Sequence, residues 1–320
     1  MDDRVDDGDA GSRPQSAGVQ HELALTGGPT SVRAVVSAVG ASPRVLTVDG
    51  VDLVESYSPR RPPPMAAGVV LVPWPNRVDG GRWHLGAVEQ QLEINEAHLG
   101  HAIHGLLRDT SYEVAERDND RITLAATVEP APGYPFRLDT RVHYRVVPDG
   151  LAVRHEIRNT GPATAPVALG THPYLRVGDV PAGELTVTLP AARALSLDER
   201  NIPTGAFDVD GTSYDLRGGA PVRDAVRHAS FGALDVVDGE ITHTLSAPDG
   251  RALDVVAEPD FGYVHFFVTD DFPTERGPTT AVAIEPMTAP PDALRSGEAV
   301  RWLAPGETWS LGWRLRLRNG

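Results

Sequence analysis

Two residues of this chain have the types and settings for proton transfer. His172 lies in Thr171-His172-Pro173-Tyr174-Leu175, after the apolar run Pro166-Val167-Ala168-Leu169. Glu285 ends the run Ala281-Val282-Ala283-Ile284 and precedes Pro286-Met287-Thr288-Ala289-Pro290-Pro291-Asp292-Ala293. Each polar group is delivered by the end of an expected strand and then held by proline. An imidazole ordinarily titrates near pH ~6.5, so His172 can give or take a proton close to neutrality. A carboxylate leaving an apolar run must be paired, hydrogen-bonded or solvated, because burying a bare charge is costly. Across one site the two would form an acid and a base that need no cofactor. Singly, each has a plainer reading: a satisfied histidine at a strand end, and a structural ion pair with an arginine.

Other residues could hold a ligand. Asn76-Arg77 follows Pro73-Trp74-Pro75, and an arginine after so rigid a turn can aim its fork of donors at hydroxyl or ring oxygens. A surface salt bridge is the alternative. His98, His101 and His104 form an HxxHxxH series, but Gly100 and Gly105 make a helix there poor. A metal needs three converging ligands, so no metal is expected. His104 is read as facing a ligand, and His98 and His101 as surface residues. Asp235, after Phe231-Gly232-Ala233-Leu234, could accept bonds from sugar hydroxyls. His265, in Tyr263-Val264-His265-Phe266-Phe267, is polar within an apolar strand and is either a bonded core group or a ligand contact. Trp74, Trp83, Tyr174 and Phe267 could stack on a sugar face or fill the core.

Composition narrows the chemistry. The chain has 320 residues and no cysteine, which excludes disulfides, thiolate catalysis, iron–sulfur clusters and cysteine zinc sites. It has no lysine, all 29 basic residues being arginine, so Schiff-base chemistry on lysine and a standard phosphate loop are excluded. A net charge of −15 argues against nucleic acid or an anionic membrane surface as partner. No apolar stretch is long enough for a transmembrane helix. Met1-Asp2-Asp3-Arg4-Val5-Asp6-Asp7 lacks the apolar core of a signal peptide, so a cytoplasmic location is expected.

Short apolar alternations broken by turn residues fill the chain. Residues 1–22 are rich in Asp, Gly, Ser and Pro and are expected to be a disordered acidic tail, with one domain over 23–320. Strands are expected over Arg33 to Val39, Arg44 to Val48, Arg121 to Val128, Leu138 to Val147, Leu151 to Ile157 and Leu185 to Leu189. Pro148-Asp149-Gly150 should join two of them as a hairpin, and Thr308 to Leu317 should be a closing strand. The best helix candidate, Pro290 to Ser296, is only a turn or two. With 32 Gly and 28 Pro disfavouring long helices, the fold class is all-β, a large sandwich.

In chain order, Asn76-Arg77-Val78, His104-Gly105-Leu106-Leu107-Arg108, Thr171-His172-Pro173-Tyr174, Leu234-Asp235, and Val282-Ala283-Ile284-Glu285-Pro286 with Pro291-Asp292-Ala293 resemble the aldose 1-epimerase (galactose mutarotase-like) family. The similarity runs from about residue 30 to the C-terminus. It implies a large antiparallel β-supersandwich with an open cleft, Glu285 as general base and His172 as general acid. It also implies sugar binding by Arg77, His104 and Asp235, with His265 where many relatives have glutamine, and no cofactor. Asp109 stands where close relatives often carry an aromatic, which leaves the preferred sugar open. The expected partner is a small sugar, handled by a monomer or homodimer. Three alternatives remain: a non-catalytic sugar-binding module, a hexose-6-phosphate epimerase using Arg82 and Arg108, and a glycosidase pairing Asp235 with Glu285.

Overall fold

The computed structural model describes residues 14–320. The expectation for the start of the chain therefore lies largely outside the described residues, but its boundary is corrected. Gln20–Leu25 is a strand pairing antiparallel with Val32–Ser37, and Ala17 is buried ahead of it. His21 and Leu23 turn inward from that strand, so it has an apolar face to bury.

Two large antiparallel sheets dominate. The first has nine strands and contains Arg121–Val128, Leu138–Val147, Gly150–Asn159, Thr308–Arg318 and Ala252–Ala257 as successive neighbours. Alternation along these strands is regular: Leu138, Thr140, Val142, Tyr144 and Val146 are buried while their neighbours face out. Leu138–Val147 and Gly150–Asn159 form the expected hairpin around Pro148-Asp149. The expected closing strand, Thr308–Arg318, lies in mid-sheet between Gly150–Asn159 and Ala252–Ala257. Its inward row Trp309, Leu311, Trp313, Leu315 and Leu317 suits that central place.

The second sheet has eight strands. Ala191–Leu197, His228–Leu234, Tyr263–Thr274, Gly277–Met287, Gly170–Thr171 and Val70–Leu71 are successive neighbours. A single apolar cluster joins the sheets, with Leu124, Tyr144, Leu311 and Leu315 from the first and Phe231, Val264, Phe266 and Ile284 from the second. Because side chains alternate across a strand, burying Val264, Phe266, Val282 and Ile284 between the sheets sends His265, Phe267, Ala283 and Glu285 to the opposite face. The same rule puts Ala229 and Phe231 in the core and Ser230 on the far face. Polar side chains thus gather on the outer face of this sheet by parity alone.

The one α-helix among the described residues is Ala293–Ser296, inside the segment expected to make a turn or two. No described helix is long and apolar enough to cross a membrane.

Candidate active site

Four neighbouring strands place a row of polar residues across the outer face. Ser230 is opposite His265, and His265 is opposite Glu285. Gly170 is opposite Met287 on the other side, so continuing that register two residues brings His172 level with Glu285. Contact follows: Nε2 of His172 lies 3.3 Å from Oε1 of Glu285. The short strand Gly170–Thr171 ends just before His172 and Pro173, and Tyr174–Leu175 resumes pairing at Ala283 and Val282. Tyr174 folds its ring onto His172, stacked at 5.1 Å between centroids.

His104 comes from a different direction. It takes a left-handed backbone (φ 65°), and its N–H donates to the Asn76 carbonyl, Asn76 being left-handed too. Gly105 is obligatory here, because a Cβ on it would lie 2.1 Å from the Val72 carbonyl oxygen. These contacts bring the His104 ring edge-on to His172, 5.4 Å between centroids. Arg77, next to Asn76, pairs with Glu96 through two parallel bonds of 2.8 Å. The far end of the glutamate motif braces this corner. Asp292 donates its N–H to the Arg77 carbonyl and accepts from the Asp79 N–H.

The open cleft implied by the resemblance is tightly lined here: Glu285 is 1% exposed, His265 3% and His172 5%. Burial sets the electrostatics. It pushes the Glu285 carboxyl well above the usual range, with the Arg77 charge opposing. It holds His172 down to about 3, with the Arg108 charge a lesser contributor. His104 and His265 are pressed well below the ordinary imidazole value, again first by burial. Oε2 of Glu285 and Nδ1 of both His172 and His104 are buried without a partner. An unpartnered buried polar atom costs about 1–3 kcal/mol, which a ligand hydroxyl can restore.

The expected site residues separate into groups. Glu285, His172, His104 and His265 come together, and Arg77 is near enough to bias the titration of three of them. Asp235 is not drawn in with them. It is exposed just beyond the strand His228–Leu234, its N–H bonded to the Pro190 carbonyl. Five residues separate it from Ser230, with left-handed Ala233 between them. His98 is exposed, as expected. His101, expected at the surface, is fully buried: its ring nitrogens bond the Gly80 N–H and the Arg200 carbonyl, contacts the local sequence does not reveal. The three histidines do not converge. Trp74 and Trp83 are core residues packed on Tyr134, whereas Phe267 stays partly exposed. Arg82 is exposed on the hairpin of Arg82–Leu85 with Val88–Gln91.

Two residues of the site escaped the sequence reading. Ser230 Oγ is 2.7 Å from Nδ1 of His265, and the His228 ring meets His265 edge to face at 4.6 Å. The available signal was parity, since His228 and Ser230 alternate with the apolar Ala229 and Phe231. A separate groove of about 270 Å³ lies on the first sheet between Arg154, Glu240, Glu258 and Arg314. Its charges pair with one another, and none of the residues above lines it.

Comparison with known proteins gives the family and the fold. A sequence model described as aldose 1-epimerase matches residues 22–316. The uncharacterized protein YihR of Escherichia coli K12 is 32% identical over 276 residues, 86% of each chain. A GalM/aldose epimerase homologue from C. elegans superposes with a TM-score of 0.79 at 15% identity, covering 94% of this chain and 99% of that one. Galactose 1-epimerase from Lactobacillus acidophilus gives 0.75 at 18% identity with the same coverage. At such identities the structures establish the fold, which is galactose mutarotase-like.

Proposed function

Because the chain belongs to the aldose 1-epimerase family, we propose that it interconverts the α and β anomers of a free aldohexose such as glucose or galactose. The observation that carries this reading is the buried His172–Glu285 contact at 3.3 Å. Burial opposes charge on either group and so favours a neutral carboxyl beside a neutral imidazole, a pair that shares one acidic proton. The working state, carboxylate and imidazolium, also holds one proton. Moving it from Oε1 to Nε2 readies the pair without exchange with solvent.

The chemistry then runs as follows. Glu285 takes the proton of the anomeric hydroxyl, and the C1–O5 bond breaks with its electrons passing to O5. His172 protonates O5, leaving an open-chain aldehyde. Rotation about C1–C2 presents the other face of C1, and closure returns both protons. Positioned acid–base groups of this kind typically contribute ~10²–10⁴-fold. Arg77, His104 and His265 hold the sugar hydroxyls from three sides, and Asp235 would reach a hydroxyl only at the outer end of the site.

The hexose 6-phosphate alternative turns on Arg82 and Arg108. Arg82 projects from an exposed hairpin, whereas Arg108 is near enough to His172 and His104 to bias both and is paired with Asp109 at 3.5 Å, so a phosphate there would meet a carboxylate, which favours a free sugar. Polarimetry of fresh α-anomers, free and 6-phosphorylated, tests this. Faster mutarotation of a free aldohexose is expected, and acceleration confined to the phosphorylated sugars would overturn the choice.

A further inference from the structure

The strand His228–Leu234 carries two polar residues that the proton-transfer chemistry does not use. Ser230 is fully buried, and its hydroxyl lies 2.7 Å from Nδ1 of His265. That contact occupies one ring nitrogen and leaves Nε2 as the only nitrogen of His265 available to a ligand. Two residues back on the same face, partly exposed His228 sits opposite Phe267 and closes edge to face on the His265 ring. His228 also contacts Phe267 edge to face at 5.8 Å. It is near enough to Arg77 and Glu96 to feel both charges. His265 is therefore clamped on two sides, directly beside Glu285 in the row.

We propose that Ser230 and His228 form a specificity-determining wall: Ser230 is a positioning residue that fixes the tautomer and ring plane of His265, and His228 contacts the sugar next to it. The wall reads a ring hydroxyl away from the anomeric carbon. A neutral imidazole with one nitrogen tied presents a single donor or a single acceptor, so the wall tells a hydroxyl in one orientation from its epimer. This rests on the epimerase reading above, with the sugar's C1 at Glu285 and His172. It adds which residues choose among aldoses rather than which residues move protons.

The test compares Ser230→Ala and His228→Phe with the wild type on glucose, galactose and their deoxy analogues. Expected for Ser230→Ala is a KM about tenfold higher on the preferred aldose, the worth of one hydrogen bond, with kcat changed much less. The preference between C4 epimers should shrink in both variants. In Ser230→Ala, long-range ¹⁵N–¹H spectra should show His265 passing from one fixed tautomer to an average of two, which simple loosening of the fold would not single out. Unchanged selectivity together with an unchanged His265 spectrum would overturn the proposal. So would an equal loss of kcat on every sugar, which would place His265 at the reacting atoms. If the wild type accelerates no aldose, the epimerase reading fails by itself. Ring spectra and calorimetric binding of the same sugars then judge the wall, and loss of neither tautomer nor sugar preference rejects it.

Discussion

Nε2 of His172 and Oε1 of Glu285 lie 3.3 Å apart, with both side chains almost sealed from solvent. Two groups so placed titrate as a pair, and the proposed proton transfer needs the form with a single proton. A second proton would have to charge His172, which burial resists down to about 3. The single proton departs only when pH passes the raised value of Glu285. The profile of kcat/KM against pH should therefore have an acid limb far below 6.5 and an alkaline limb above the usual carboxylate range. An acid limb near 6.5 would mean that His172 titrates as an ordinary solvated imidazole.

Arg77 and Glu96 should move the alkaline limb in opposite directions. The Arg77 charge favours ionised Glu285 and lowers its pKa. Arg77→Met removes that charge, so the limb should rise. Glu96→Gln leaves the guanidinium unneutralised, so the limb should fall. Shifts of the same sign in both variants would show that the pair does not act on Glu285 through its field.

Acid should weaken the fold through histidines outside the site. His155 accepts a bond from Trp313 Nε1, and burial holds it at about 3. His243 is fully buried with neither ring nitrogen partnered, and it too is held at about 3. Their folded values lie below the unfolded value of ~6.5, so their contribution is full above pH 6.5 and is lost as pH falls toward 3. Each should cost about 1.4 kcal/mol per pH unit over that window. Urea midpoints between pH 7 and 5 would measure the slope, and His243→Leu should make it shallower by one histidine's share. Parallel slopes in wild type and variant would contradict this.

His172 and Glu285 could be singled out before the fold was known, because each follows an apolar run and is followed by proline. The strand Arg121–Val128 and the hairpin at Pro148-Asp149 followed from alternation, which depends only on neighbours in sequence. What alternation cannot supply is which strand lies beside which. Thr308–Arg318 has the pattern of any half-buried strand, yet it is central because both Gly150–Asn159 and Ala252–Ala257 pair with it. His101 illustrates the same limit: its partner Arg200 comes from a distant loop. Ser230 and His228 gain meaning only from lying next to His265. The helical turn Ala293–Ser296 was expected, but the role of Asp292 in bracing Arg77 depends on a contact across most of the chain.

The most direct measurement is the mutarotation rate of fresh α-D-glucose and α-D-galactose with wild type, Glu285→Gln and His172→Ala, each checked for wild-type thermal unfolding. Wild type should accelerate at least one sugar. Each variant should lose roughly 10²-fold or more, the range set by a positioned acid or base. Rates in both variants equal to that of the wild type would contradict proton transfer by His172 and Glu285.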